Sequence, residues 1–333
     1  MHNVRRVRQS EAAIRARKER EKSKIAEYLT LTDDVMSRKK NKDWSREAFD
    51  ITQCLLQVNP EFYTVWNYRR NIMLNGIFHS STPEQINDLL ANELVLTTVA
   101  LKDNPKIYWL WNHRRWCLQN IPDGPLVDGQ PSRQWIAAGW DKELAVVEKM
   151  LNTDPRNFHA WNYRRYVLAS MPVKRPDTTE LTYTSRKISA SFSNFSAWHQ
   201  RSKIYSSLWN EGQLDQVKAQ DQEFELVHNA IYTDPEDQSA WIYHRWLIGS
   251  GDNEDRIRKE IAVIKELLSE QPDSKWCMDS LVYYNRLLLE KHRPHDVELR
   301  EECLTMLQQL EVIDPPRRFR YQELAADIRR VEY

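Results

Sequence analysis

Apolar residues along this chain recur with a helical period. One stripe is Ala48, Ile51 and Leu55; later ones are Trp140, Leu144, Val147 and Leu151, then Ile257, Ile261, Ile264 and Leu268. Steps of three and four residues place each set on one face of an amphipathic helix. A second helix is predicted after each stripe, because Trp66, Arg69, Arg70 and Met73 fall at i, i+3, i+4 and i+7. The pattern is thus a succession of helical hairpins.

The second helices share a phrase. Trp66-Asn67-Tyr68-Arg69-Arg70 returns as Trp111-Asn112-His113-Arg114-Arg115 and as Trp161-Asn162-Tyr163-Arg164-Arg165. Worn forms follow as Trp198-His199-Gln200-Arg201 and Trp241-Ile242-Tyr243-His244-Arg245, at spacings of 45, 50, 37 and 43 residues. Six residues before each Trp stands the Pro of Asn59-Pro60, Asn104-Pro105, Asp154-Pro155 or Asp234-Pro235, or the Phe of Ser191-Phe192. Asn or Asp before Pro predicts a helix start, with the side-chain oxygen capping free amides and Pro in the first helical position.

A hairpin with one apolar side cannot hide it alone, whereas stacked copies can. The predicted fold is therefore all-α: a crescent-shaped α-solenoid of about seven hairpins. They fall near 45–75, 84–120, 139–170, 178–209, 216–249, 255–289 and 297–331. Residues 1–40 read as a basic tail running into a leading helix, and 41–333 as a single superhelix. The stretch from Ile121 to Arg133, with five breakers (Pro122, Gly124, Pro125, Gly129, Pro131), is predicted to be a surface loop.

Composition sharpens this picture. Thirteen Trp in 333 residues supply a large apolar area for an extended core. The 48 acids balance the 48 bases, so no global field draws nucleic acid or a membrane. Residues 1–24 are the local exception, with nine Lys or Arg against three Glu. Cys54, Cys117, Cys277 and Cys303 stand far apart without a Cys-x-x-Cys pair, which argues against a disulfide framework or a zinc ribbon. With no secretory signal and no transmembrane run, a cytoplasmic location is expected.

No standard catalytic signature is present. His292-Arg293-Pro294-His295 reads as a surface turn. The Trp and Arg positions of the phrase (Trp66, Arg69, Trp111, Arg114, Trp161, Arg164, Trp198, Arg201 and Trp241) read first as structure, with Trp filling the gap between hairpins and Arg reaching carboxylates or carbonyls of the next. The position after Pro or Phe is more telling: Glu61, Lys106, Arg156, Ser193 and Glu236, with Asp273 after Pro272. Acids suit the positive end of a helix dipole; Lys106 and Arg156 do not, and cations there invite an anion such as phosphate. A non-catalytic scaffold of tetratricopeptide type is the plain alternative, but its units run to about 34 residues.

These residues resemble the protein prenyltransferase α-subunit repeat, Pro-x-x-Tyr-x-x-Trp-x-x-Arg, over nearly the whole chain. Tyr63, Tyr108, Phe158 and Phe195 hold the aromatic position three before Trp. Within the family, Met1-His2-Asn3 with its basic run, and Ser274-Lys275-Trp276-Cys277-Met278, are similar to the branch acting on Rab GTPases. The branch acting on CaaX proteins has Gln after the second-repeat Tyr, where this chain has Trp109.

The resemblance implies a crescent wrapped around a β subunit that holds zinc and most of the lipid pocket. Geranylgeranyl diphosphate is the implied substrate, and Rab proteins presented by a Rab escort protein are the implied acceptors. Lys106 matches the family's diphosphate-binding Lys and Tyr108 the Tyr of the same motif. Asn157 and His159 match residues lining the active-site edge, while Phe158 stands where the family has Tyr. Arg156 is a secondary candidate for that edge, and His2 for a transient zinc ligand. This chain itself is expected to hold no zinc, and to lack the immunoglobulin-like and leucine-rich-repeat domains of longer relatives.

Overall fold

The computed structural model describes residues 10–330. The chain divides into two compact units, Met1–Lys174 and Arg175–Tyr333. Among the described residues there are fifteen α-helices and one two-stranded ribbon, so the fold is all-α as the periodicity predicts. None of these helices is long and apolar enough to cross a membrane.

The first unit opens with α1 (Glu11–Lys40), whose Ser10 side chain caps the Ala13 amide. Three hairpins follow: α2 (Arg46–Val58) with α3 (Tyr63–Ile72), α4 (Pro83–Asp103) with α5 (Tyr108–Gln119), and α6 (Gln134–Thr153) with α7 (Phe158–Ser170). The second unit holds four more: α8 (Asp177–Ala190) with α9 (Phe195–Asn210), α10 (Gln216–Thr233) with α11 (Gln238–Ile248), α12 (Glu254–Glu270) with α13 (Lys275–Lys291), and α14 (Val297–Ile313) with α15 (Arg318–Arg330). Within each unit the second helices lie against one another in sequence, which is the solenoid mode of stacking. Trp140, Leu144, Val147 and Leu151 are all buried; in α12 the buried edge runs to Leu267 rather than Leu268.

The Asn-Pro phrase does not start a helix. Asn59, Asn104, Asp154 and Asp234 each stand at the end of the preceding helix, and the next helix begins three residues after the Pro. The Asn59, Asp154 and Asp234 side-chain oxygens accept the amides of Glu61, Arg156 and Glu236, so each closes an Asx turn across the Pro. The true N-caps lie further on: Asn157, Asn194 and Asp237.

The six-residue spacing has a direct cause. Each Trp indole N–H donates to the carbonyl of the residue six before it: Trp66 to Pro60 at 2.9 Å, Trp111 to Pro105 at 3.1 Å and Trp161 to Pro155 at 2.8 Å. Trp198 does the same to Phe192 at 2.7 Å and Trp241 to Pro235 at 2.8 Å. A buried indole needs such an acceptor, and the turn supplies a carbonyl that no helix amide can reach. The ring faces then meet the next hairpin, Trp66 against His113 at 4.6 Å, Trp111 against Tyr163 at 4.9 Å and Trp198 against Tyr243 at 4.7 Å between centroids.

The arginines staple neighbouring hairpins. Arg69 donates to both oxygens of Glu93 at 2.7 Å, Arg114 to both of Glu143 at 2.6 and 2.7 Å, and Arg201 to both of Glu223 at 2.6 Å. Each also reaches back to its own hairpin, Arg69 to the Phe49 carbonyl and Thr52, and Arg114 to the Leu94 carbonyl, Thr97 and Thr98. These pairs are buried, so they are favourable only because nearly every polar atom finds a partner.

Glu93 has a further donor, His113, whose Nε2 lies 2.9 Å away. Burial alone raises the Glu93 carboxyl, but the hydrogen bonds from Arg69 and His113 outweigh it and bring it down to about 2. Burial brings the His113 imidazole down to about 4 against the pull of Glu93. His113 is therefore neutral, with Nε2–H donating to Glu93 and Nδ1 accepting from Arg70 at 3.2 Å. An unfolded imidazole takes its proton near 6.5 and the folded one near 4, so falling pH favours the unfolded chain across that window. The Glu93 carboxyl adds the same trend from 4.5 downward. Urea midpoints are expected to fall steadily as pH drops from 6.5 to 4, and His113→Gln should flatten the upper part of that slope. A flat wild-type profile would refute the neutral imidazole.

The stretch predicted to be a surface loop contains β1 (Gly124–Val127) and β2 (Gln130–Ser132), an antiparallel ribbon. Its turn residues Asp128 and Gly129 have φ of 52° and 77°, the left-handed pair that a tight hairpin needs.

Candidate functional site at the Lys106 turn

The turn between α4 and α5 presents Lys106 to solvent. Lys106 stands one residue after Pro105 and two before Tyr108, the first residue of α5, so it flanks the helix end rather than lying inside its first turn. No carboxylate among the described residues pairs with it. Arg156, at the equivalent place before α7, is also exposed and also lacks an ion pair among those residues. At the same position Glu236 instead meets Lys275 at 3.4 Å.

The Lys106 backbone is held from two sides. The Pro105 carbonyl accepts the Trp111 indole and, at 3.3 Å, the side-chain amide of Asn157. Asn157 is buried; its Oδ1 caps α7 by accepting from His159 N at 3.0 Å and Ala160 N at 3.3 Å. One Asn thus fixes the start of α7 and ties it to the peptide bearing Lys106. The N-terminus of α5 has no side-chain cap, which leaves its first amides without a side-chain acceptor.

His159 completes the group. Only 7 % of its surface is exposed, and its ring meets that of Tyr108 edge-on at 4.4 Å. Burial, aided by the Lys106 charge, lowers its pKa and favours the neutral ring. Tyr108, two residues on from Lys106, is 58 % exposed. The fold therefore brings Lys106, Tyr108, Asn157 and His159 together from two consecutive hairpins. Phe158, exposed beside His159, offers an apolar face.

Together these residues form a rigid, cationic, partly aromatic rim. An exposed ammonium without a counter-ion among the described residues, on the turn that leads into an uncapped helix, suits an anionic oxygen such as a diphosphate. The rim does not suit zinc, since it offers one imidazole and no thiolate or carboxylate. A cavity of about 460 Å³ lies nearby, lined by Leu101, Pro105, Trp111, Met150 and Asn157 among others. Lys106 is not part of its wall. The buried Trp66, Arg69, Trp111, Arg114, Trp161, Arg164, Trp198, Arg201 and Trp241 sit inside the hairpin stack. His2 lies outside the described residues.

Sequence reasoning missed the Asn157–Pro105 tie and the glutamates that receive the arginines. The signal for those glutamates is an acid at a core-facing position within the apolar stripe of a first helix, as at Glu93, Glu143 and Glu223.

Comparison with known proteins follows the same lines. The protein prenyltransferase alpha subunit repeat matches residues 45–76, 90–121, 140–171, 177–208 and 221–250. The chain is 38 % identical to the geranylgeranyl transferase type-2 subunit alpha of Schizosaccharomyces pombe, covering 98 % of both chains. It is 34 % identical to that of Saccharomyces cerevisiae, over 97 % of this chain and 98 % of the relative. The Bos taurus protein of the same name is 35 % identical over 78 % of this chain but only 43 % of its own length. Among solved structures, a chain of Candida albicans protein geranylgeranyltransferase-I complexed with GGPP shares the fold, with a TM-score of 0.70 at 21 % identity over 91 % of each chain.

Proposed function

Because the chain belongs to the protein prenyltransferase α-subunit family, in its geranylgeranyl transferase type-2 branch, we propose that Lys106 serves the transfer step of that enzyme. In this reading the chain assembles with a β subunit. The pair moves the geranylgeranyl group from geranylgeranyl diphosphate to C-terminal cysteines of Rab GTPases presented by an escort protein. Zinc, held by the β subunit, supplies an acidified acceptor thiol.

The α chain contributes charge and position. As the bond between the lipid's C1 and the diphosphate oxygen breaks, negative charge grows on the leaving oxygen, and a preplaced ammonium stabilises it. Lys106 is that ammonium, and the exposed, carboxylate-free side chain on a doubly anchored turn is the observation that carries the proposal. Tyr108 adds a hydroxyl beside it, and neutral His159 braces the Tyr108 ring without adding charge of its own. Arg156, at the equivalent place of the next hairpin, supplies a second cation.

Co-expression with candidate β subunits tests the assignment. The type-2 β subunit is expected to copurify at one to one, and the pair to prenylate a Rab protein only when escort protein is added. Copurification with a CaaX-type β subunit, and prenylation of a CaaX peptide instead, would move the chain to the other branch.

A further inference from the structure

We infer that His228, His244 and Glu260 form a binding site for a divalent cation of the zinc class, in the second unit and independent of the Lys106 rim. The three residues come one each from α10, α11 and α12, sixteen residues apart in sequence. One donor atom from each falls within 4.8 Å of the others. The His228 and His244 Nε2 atoms converge on a single carboxylate oxygen, Oε2 of Glu260, at 2.6 and 2.9 Å.

The neighbouring staples make this arrangement stand out. Glu223 receives a guanidinium on both oxygens, and that guanidinium is charged at any ordinary pH. At the corresponding position of the next hairpin His244 replaces the arginine. An imidazole offers one bond where the fork offered two. The consequence is visible at Glu260, whose Oε1 is buried and makes no hydrogen bond among the described residues. The nearest arginine of the phrase, Arg245, does not fill the gap, because it pairs with Asp279 at 2.5 Å. A buried carboxylate flanked by two imidazoles, with one oxygen unpartnered, has the donor set that zinc takes: two nitrogens and a carboxylate.

The surroundings fit a metal as well. His244 Nδ1 lies 2.6 Å from the buried Tyr284 hydroxyl. That hydroxyl can donate or accept, so it holds the ring whether the proton is on Nε2 or has moved to Nδ1 to free Nε2 for a metal. The Phe224 ring flanks both imidazoles, at 6.0 Å from His228 and 5.4 Å from His244, and supplies a dry wall. His228 is the solvent-side ligand, with 22 % of its side chain exposed, which gives an ion a way in and leaves room for a water as fourth ligand. Tetrahedral bonds of about 2.0–2.2 Å place ligand atoms about 3.4 Å apart, so from the 2.6 and 2.9 Å contacts with Glu260 the His228 nitrogen moves outward by about 0.8 Å and that of His244 by about 0.5 Å to admit the ion.

The full-length chain, purified without any partner, stripped with chelator and then reloaded with zinc or cobalt(II) alone, provides the test. Partner zinc then plays no part, so a negative result here leaves the transferase assignment untouched. Wild type is expected to retain one zinc per chain through gel filtration, and to show cobalt(II) d–d absorption that zinc abolishes. His228→Gln should weaken cobalt binding about 10-fold or more, and Tyr284→Phe by about 10-fold while leaving the stoichiometry at one. No zinc retained by a folded wild-type chain overturns the site. So does unchanged affinity in folded His228→Gln. Should that variant fail to fold, X-ray absorption of the wild-type zinc decides: two imidazole ligands support the site, and none overturns it.

Discussion

Lys106→Ala is expected to slow geranylgeranyl transfer about 10²-fold in the assembled heterodimer, the range for removing one preplaced electrostatic partner. The fold should not suffer, because Lys106 is exposed and no carboxylate among the described residues depends on it. Its backbone would stay in place too: the Trp111 and Asn157 bonds go to the Pro105 carbonyl, not to the lysine side chain. Single-turnover measurement separates the possibilities. A slower chemical step with intact assembly and near-normal lipid binding places the ammonium at the transition state. Weaker diphosphate binding with an unchanged step would make it a ground-state contact. Lys106→Arg should recover part of the rate, since charge returns with different geometry. Equal single-turnover rates in wild type and Lys106→Ala would remove the residue from the mechanism.

The hairpins were legible because their signal repeats. One Trp-x-x-Arg on a helix face says little, but five copies in phase force a stacked architecture. The Asn-Pro phrase predicts the start of a helix for a sound local reason that fails in this context. Asx before Pro fits a turn after a helix as well as a cap before one. With only four residues between helices here, the Asx turn and the indole-to-carbonyl bond decide between them. The ribbon at 124–132 has a hairpin signal in Asp128-Gly129, set among prolines that favour a loop.

Partners across hairpins were not legible at all. Arg69 reaches a glutamate 24 residues on, Arg114 one 29 on and Arg201 one 22 on, because the intervening loops differ in length. The Asn157–Pro105 bond spans 52 residues. Such contacts follow from packing, which sets distance in space without fixing distance in sequence. The Lys106 position was nevertheless visible, as two successive cations in a column otherwise acidic or neutral.

Glu143→Ala is expected to destabilise the chain by about 3–5 kcal/mol, the cost of stranding one partner of a buried ion pair. Arg114 is 1 % exposed and directs two nitrogens at Glu143; its third directs bonds to the Leu94 carbonyl, Thr97 and Thr98. Removing the carboxylate leaves a guanidinium that cannot shed its charge and cannot reach water without parting α5 from α6. A loss of that size is a large share of the 5–15 kcal/mol that holds a typical domain folded. The reciprocal change sets the interpretation. If the penalty comes from the stranded charge rather than lost packing, Arg114→Met with Glu143→Met should be markedly more stable than Glu143→Ala alone. A double-mutant cycle on urea midpoints then yields a coupling well above 1 kcal/mol. A Glu143→Ala midpoint within experimental error of wild type would mean that the glutamate staples contribute nothing to the stack, and that the Trp-to-carbonyl bonds and ring contacts hold the hairpins together by themselves.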